Sequence, residues 1–122
     1  MSRPKKDEVR EERIHMEIIV DAYGEEERVM SWYYHLDEVV TFPFEAECIL
    51  ERRTSPLRKG EKVKVIAQSP MDDCMREMFV QIEWQGREMG VPLAQLQPID
   101  VDPQTQEAVE DWHYWTAMGY EF

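Results

Sequence analysis

Apolar residues recur with two different periods along this chain, and the change of period predicts its secondary structure. In the N-terminal third, apolar residues are spaced three and four apart, which is the helical pattern, at Val29, Trp32, Tyr33, Leu36 and Val40. From Phe44 the spacing becomes two, with apolar residues alternating with glutamates, which is typical of a half-buried strand. The pattern therefore predicts helices followed by a sheet.

Two N-terminal helices are predicted within residues 8–40. The first begins at about Glu8 and breaks near Tyr23. Its Ile14–Val20 part fits either a strand or a helix by spacing, and the helix propensity of the surrounding Glu, Arg and Met favours helix. The second begins near Glu25 with three glutamates in its first turn, where the positive end of the helix dipole stabilises them.

The middle of the chain predicts a small SH3-like barrel. A two-residue turn, Gln85-Gly86, joins two strands as a hairpin, and a one-turn helix at Leu93–Leu96 precedes the last strand. The predicted strands are Phe44–Leu50, Glu61–Gln68, Met78–Trp84, Arg87–Leu93 and Gln97–Asp100.

A third helix is predicted over residues 103–118, because Asp102 is a good N-cap and Pro103 suits the first helical position. The expected fold class is α+β, with two N-terminal helices and a C-terminal helix packed on a five-stranded SH3-like β-barrel. We expect a flexible, charged tail of residues 1–7 before one domain of residues 8–122. Within that domain the barrel occupies residues 44–100.

The charge is strongly negative, with a net value of −12. Residues 17–51 hold ten acids and one cation, Arg28, and residues 88–122 hold seven acids and no Lys or Arg. Such a surface repels nucleic acids and anionic membranes, and attracts cations or basic partners. The chain shows no run of about 20 apolar residues. Two isolated thiols, Cys48 and Cys74, fit a reducing compartment, so a cytoplasmic location is expected.

The sequence offers no support for an enzyme or a zinc site. It lacks a P-loop, a GxGxxG motif and a GxSxG motif. The residues His15, His35, His113, Cys48 and Cys74 are scattered, which does not suit a zinc site. Cys48 alternates with core positions, and His35 and His113 lie beside tryptophan or tyrosine, so these three are predicted to pack.

Calcium suits the acidic clusters better, since it takes six to eight oxygen ligands. Asp37 and Glu38 are the most informative pair, because they lie at the negative end of the second helix, where acid is unfavourable without a nearby cation. The run from Asp100 to Asp111 partly matches an EF-hand loop, although helix capping explains Asp102 equally well. The other acids weighed are Glu25–Glu27, Asp72, Asp73, Asp100, Asp102, Glu107, Glu110 and Asp111.

Several segments together resemble a known family. The run DAYGEEERVMSWYYHLDEVVTFPF at residues 21–44, with WQGR at 84–87, VPLAQL at 91–96 and EDWHYW at 110–115, is similar to the cyanobacterial calcium-binding protein family of the CcbP type. The resemblance implies helices on an SH3-like barrel and calcium binding at surface acids that buffers or senses cytosolic calcium. It aligns the family's acidic pairs with Asp37-Glu38 and Glu110-Asp111.

We therefore expect a monomeric, non-enzymatic protein that binds Ca²⁺ reversibly. Asp37 and Glu38 are the predicted direct ligands, completed by a carboxylate of Glu110 or Asp111. The alternative is an acidic SH3-like module that binds a basic protein partner without metal.

Overall fold

Helices occupy both ends of the chain, and a five-stranded antiparallel sheet lies between them. The computed structural model describes residues 3–122, so the first two residues of the predicted tail lie outside it. No helix in this range combines the length and the apolar character that crossing a membrane requires. The elements are α1 (Glu8–Arg13), a π-helical turn (Ile14–Ile18), α2 (Glu25–Val39), β1 (Phe44–Cys48), β2 (Lys62–Gln68), a 3₁₀ turn (Met71–Cys74), β3 (Phe79–Trp84), β4 (Arg87–Pro92), a second 3₁₀ turn (Leu93–Gln95), β5 (Leu96–Ile99) and α3 (Pro103–Ala117).

The helix start predicted at Glu8 is confirmed. Asp7 is the N-cap, and its carboxylate accepts a hydrogen bond from the Arg10 backbone N–H at 3.0 Å. After α1 the backbone widens into the π turn, in which Ile19 N–H donates to the Ile14 carbonyl five residues earlier at 2.9 Å. The ambiguous segment is therefore helical, although its hydrogen bonds are not those of an α-helix.

This first helical segment ends after Ile18, earlier than the predicted end near Tyr23. Three consecutive β-branched residues begin at Ile18, and such residues lose side-chain freedom in a helix. Asp21 then adopts a left-handed backbone with φ of 61°, which stops helical hydrogen bonding. Gly24 consequently serves as the N-cap of α2 instead of ending the first helix.

Helix α2 begins at Glu25 as predicted, and its apolar stripe faces the core. Val29, Trp32 and Leu36 are completely buried. Tyr33, on the edge of the stripe, is half-buried, and its hydroxyl donates to the Ser69 carbonyl at 2.8 Å. The stripe thus packs α2 onto the sheet, as the helical spacing predicts.

The sheet has the strand order β4-β3-β2-β1-β5, and all neighbours are antiparallel. Its core face includes Ala46, Val65 and Ile82, which are completely buried. The predicted two-residue hairpin is confirmed, because Gln85 and Gly86 have φ of 50° and 81°, the positive values that a type I′ turn requires.

The predicted fold class is confirmed at the level of α+β, with helices at both ends and five antiparallel strands. Closure into a barrel is not confirmed. Within residues 3–122, β4 pairs only with β3 and β5 pairs only with β1, so hydrogen bonds do not join the two edge strands. A barrel requires that last pairing, since closure is what removes sheet edges.

Aromatic residues pack α2 against α3. The Trp32 ring lies 5.0 Å from Trp112 and 5.6 Å from Trp115, measured between centroids. The backbone N–H of Thr41, just after α2, donates to the Thr105 hydroxyl near the start of α3 at 2.9 Å. The end of α2 therefore lies beside the beginning of α3, and the two helices run antiparallel.

The start of α3 is capped as predicted. The Asp102 carboxylate accepts from the Thr105 backbone N–H at 3.0 Å and from its hydroxyl at 2.7 Å, and Pro103 follows at the first position. The run from Asp100 to Asp111, which partly matches an EF-hand loop, is mostly helical, so it does not wrap around an ion.

We predict that Asp102→Ala lowers the free energy of unfolding by about 1–2 kcal/mol, the usual cost of losing an N-cap. Asp102→Asn is the matched control, because its amide oxygen still accepts the Thr105 N–H. Urea unfolding of both variants measures the difference. An alanine variant no less stable than the asparagine variant would contradict the capping role.

Candidate metal site

An acidic cleft of about 340 Å³ lies where the π turn, the last turn of α2 and the first turns of α3 meet. Its position follows from the antiparallel packing of α2 on α3, which brings the acidic end of one helix to the start of the other. The lining residues are Arg13, Glu17, His35, Glu38, Val39, Gln104, Glu107 and Ala108.

Three carboxylates from three separate elements line the acidic cleft. Glu17 belongs to the π turn, where Ile14 and Ile18 are buried and Glu17 is exposed. Glu38 lies in the last turn of α2 and Glu107 in the second turn of α3. All three are exposed to solvent, so an ion can reach them without unfolding the helices.

Next to the acidic cleft, two arginines enclose the carboxylate of Asp111. The Asp111 side chain is only 1% exposed. Its Oδ1 accepts from Arg10 Nη1 at 2.8 Å and from Arg13 Nη2 at 2.7 Å, while Oδ2 accepts from Arg13 Nε at 2.9 Å. A buried charge is tolerated only when paired in this way. Arg13 Nε also lies 3.5 Å from Glu107 Oε1, which connects the buried pair to the cleft.

Comparison with known proteins assigns the family. The family profile described as calcium binding, of the CcbP type, matches residues 12–116. The chain belongs to this calcium-binding family. Among solved structures, CcbP from Anabaena is similar over the full length of both chains, with 41% identity and a TM-score of 0.87. A calcium binding protein in the calcium-binding form is similar over the same extent, with 40% identity and a TM-score of 0.86. No curated protein matches the chain.

Membership of the CcbP family confirms the resemblance that the sequence segments indicate, and with it calcium binding and Ca²⁺ as the ion. The family is defined by calcium binding and not by a reaction. The structural similarity also accounts for the α+β fold with its five-stranded sheet.

The structure does not bring the four predicted ligands of this CcbP-family chain together. Glu38 lines the acidic cleft, and Asp111 adjoins it through Arg13. Asp37 and Glu110 do not line it. Glu110 instead accepts a hydrogen bond from Gln106 at 2.8 Å. The predicted set of ligands therefore stays a prediction, and the geometry places only part of it at one location.

Sequence reasoning gave no role to Glu17 and weighed Glu107 without choosing it. The spacing of residues along a helix is the sequence feature that indicates both Glu17 and Glu107. Side chains three or four residues apart share a helix face, whereas neighbours diverge by about 100°. Glu107 and Asp111 are four residues apart, and both lie at the cleft. Glu110, which precedes Asp111 in the sequence, does not line it. Arg13 and Glu17 show the same four-residue spacing.

The carboxylates of the cleft are near one another but not assembled into a coordination sphere. Among residues 3–122, no three His, Cys, Asp or Glu side chains are grouped closely enough to hold a metal ion. Calcium needs oxygens at about 2.3–2.6 Å, so the exposed glutamates would have to change rotamer to contact one ion. Long, exposed side chains make such changes on the picosecond to nanosecond timescale.

The other charged or ionisable groups of the cleft are Arg13 and His35. Hydrogen bonding to Asp111 raises the pKa of the Arg13 guanidinium, so it stays protonated. Burial lowers the pKa of His35 below its usual value, although the charges of Asp111, Glu38 and two further glutamates partly oppose that shift. At neutral pH the cleft therefore contains one positive side chain, Arg13, beside its carboxylates.

The weaker acidic candidates lie elsewhere. Glu25–Glu27 occupy the first turn of α2, where the helix dipole explains them, and Asp72 and Asp73 lie exposed on the first 3₁₀ turn. Asp100 and Asp102 line a second cleft, of about 410 Å³, at the junction of β5 and α3. Lys64 also lines that cleft and offsets part of its charge.

We predict that stability without calcium falls as the pH drops below about 6.5. Burial lowers the pKa of both His35 and His113 in the folded state, so below that pH the unfolded chain binds protons that the folded chain does not. The loss is at most about 1.4 kcal/mol per histidine for each pH unit.

Urea unfolding at pH 7.5 and pH 5.5, in chelator, measures this decline. His35→Gln and His113→Asn should each make it shallower, because each removes one group with a lowered pKa. Carboxylates with lowered pKa values, such as Asp102, lose their stabilising effect only in more acidic solution. A decline as steep in both variants as in the wild type would contradict the prediction.

Proposed function

We propose that this protein binds Ca²⁺ in the acidic cleft, with Glu17, Glu38 and Glu107 as carboxylate ligands. The observation that carries the proposal is that three acids from three helical elements line one cleft, in a chain of a calcium-binding family. One similar structure is of a calcium binding protein in the calcium-binding form, which also supports calcium as the ion.

The chemistry of the cleft suits calcium better than magnesium. Three carboxylates supply at most six oxygens, and water can complete the six to eight that calcium takes. Magnesium requires near-ideal octahedral geometry and gives up its water reluctantly, so flexible surface glutamates are poor ligands for it. An affinity on the order of 10⁻⁷ to 10⁻⁴ M fits a surface site of this kind, which is the range of a buffer or a sensor.

Of the four acids predicted from the sequence, Glu38 is proposed as a direct ligand and Asp111 as a ligand that an ion reaches only if the arginines move. Asp37 is exposed and Glu110 is half-buried, and both lie outside the lining of the cleft. They are proposed to act through their charge, since nearby negative groups raise the local concentration of cations.

A cytoplasmic monomer is the proposed state. Cys48 and Cys74 are both free and buried, which fits a compartment that keeps thiols reduced.

A basic protein partner is a second proposal. It is supported by Met30 and Tyr34, whose side chains are 40% and 55% exposed on the otherwise acidic α2. The ligand chemistry of the cleft gives calcium the stronger support.

Curling of the sheet toward an SH3-like barrel is also proposed. Strands β4 and β5 are opposite edges of the sheet, yet only the three residues Leu93–Gln95 connect them. In a flat five-stranded sheet those edges would be about 19 Å apart, at about 4.8 Å per strand. A three-residue 3₁₀ turn spans about 6 Å. The short connection therefore supports a strongly curved sheet.

Calorimetric titration of calcium into the chelator-treated protein, in about 0.15 M salt, tests the site. The wild type should give saturable heat, with magnesium much weaker. Glu38→Gln combined with Glu107→Gln should weaken calcium binding by about tenfold or more, because two charged ligands are lost. Asp72→Asn combined with Asp73→Asn is the matched control, since it removes the same charge from residues that do not line the cleft.

Asp37→Asn and Glu110→Gln separate ligands from neighbours that act only through charge. Each should weaken calcium binding less than Glu38→Gln or Glu107→Gln does. If the cleft variants bind calcium as tightly as the Asp72 and Asp73 control, the site lies elsewhere. If the wild type releases no heat at millimolar calcium, the proposed function is wrong.

A further inference from the structure

We propose that the Arg13 guanidinium is an internal cation that competes with calcium, and that calcium binding displaces it and loosens α1 from α3. This inference rests on the proposed function of the acidic cleft. It adds a regulatory role for the N-terminal helix, which would set the affinity of the site and respond to its occupancy.

Arg13 already occupies the place where a cation would bind the acids of α3. Its Nη2 and Nε contact both oxygens of Asp111, at 2.7 Å and 2.9 Å, and its Nε lies 3.5 Å from Glu107 Oε1. Arg10 Nη1 provides a third contact, to Asp111 Oδ1. A calcium ion held by Glu107 would lie within a few ångströms of a fixed positive charge, which opposes its binding.

The charges around the cleft leave room for one divalent ion. Glu17, Glu38, Glu107 and Asp111 contribute four negative charges, and Arg10 and Arg13 together contribute two positive ones. The remainder is two negative charges, or three when Asp7 is counted, whose Oδ2 lies 3.5 Å from Arg10 Nε. Removing Arg13 from this group would increase the negative potential of the cleft and expose a fourth carboxylate to the ion.

Helix α1 depends on polar contacts with α3 and the segment after it. Its one buried side chain is Glu11, whose carboxylate accepts from the hydroxyls of Tyr114 at 2.5 Å and Tyr120 at 2.7 Å. Its only aliphatic residue, Val9, is 71% exposed. The apolar anchors of this region, Ile14 and Ile18, come after α1 in the π turn. Displacement of Arg13 would remove two of the hydrogen bonds between α1 and α3 and leave those of Arg10 and Glu11, so α1 would loosen without detaching.

Competition at Asp111 and Glu107 makes the coupling reciprocal. If docking of Arg13 weakens calcium binding, then calcium must weaken docking of Arg13 by the same factor. A fixed ion pair would also oppose calcium through its charge, but calcium would then leave the hydrogen exchange of residues 8–18 unchanged. Faster exchange in calcium therefore distinguishes displacement of Arg13 from a fixed charge.

The first experiment compares calcium affinities of the full chain by calorimetry. Arg13→Gln should bind calcium about tenfold more tightly than the wild type, a factor typical of coupled sites. Arg58→Gln is the matched control, because it removes the same charge from an exposed position between β1 and β2. Its affinity should stay within about twofold of the wild type, given screening beyond about 8 Å at physiological salt.

The second experiment uses the wild type, so it does not depend on the folding of a variant. Amide hydrogen exchange of residues 8–18 should become faster in saturating calcium, while exchange of the β3–β4 hairpin stays unchanged. Magnesium at the same concentration should leave both segments unchanged. Exchange in residues 8–18 that is equal or slower with bound calcium would overturn the inference.

The outcomes separate this inference from the proposed function. If Arg13→Gln and Arg58→Gln bind calcium with equal affinity, or if Arg13→Gln binds it more weakly, the competition is overturned. The proposed site is then left intact. Absence of calcium heat in the wild type overturns the proposed function, and the competition with it. If Arg13→Gln does not fold, Arg13→Lys and the exchange measurement decide, since lysine keeps the charge but cannot bridge both Asp111 oxygens.

Discussion

The packing of Trp32 between Trp112 and Trp115 is the contact on which the helical part of the molecule depends. These rings are among the largest buried side chains, and their centroid separations of 5.0 Å and 5.6 Å are typical of packed aromatic pairs. They set α2 antiparallel to α3. The acidic end of α2 then necessarily lies beside the first turns of α3, so the cleft is a consequence of the core.

The antiparallel packing of α2 on α3 changes the electrostatic surroundings of the acids at the end of α2. Acids there are unfavourable next to the negative end of their own helix unless a positive charge lies nearby. The structure supplies part of the positive charge from within the chain, through the adjacent N-terminal end of α3 and through Arg13. An external ion is needed only for the charge that remains, and its affinity depends on how firmly Arg13 stays in place.

Local patterns predict the elements of this fold well, because the period of apolar residues, the N-cap at Asp102 and the Gln85-Gly86 turn all act over a few residues. They predict the site less well. Asp111 lies in a tryptophan-rich helix, and nothing near it in sequence reveals that its partners Arg10 and Arg13 come about 100 positions earlier. The helix period could have separated Glu110 from Asp111 and placed Glu17 beside Arg13, but the change from α- to π-helical hydrogen bonding at Ile14–Ile18 has no local sequence signal.

Pairs of opposite charges across the strands offset the acids of the sheet, so the net negative charge of the molecule is concentrated on its helices. On the outer face of the sheet, Lys64 of β2 lies opposite both Glu45 and Glu83, and Lys62 lies opposite Glu47. Opposite charges across strands offset one another. The acids of α2 and α3 have few basic neighbours in their own segments, since residues 17–51 contain one cation, Arg28, and residues 88–122 contain no Lys or Arg. A cation approaching from solvent is therefore drawn to the helical face, where Arg13 is the charge it must displace.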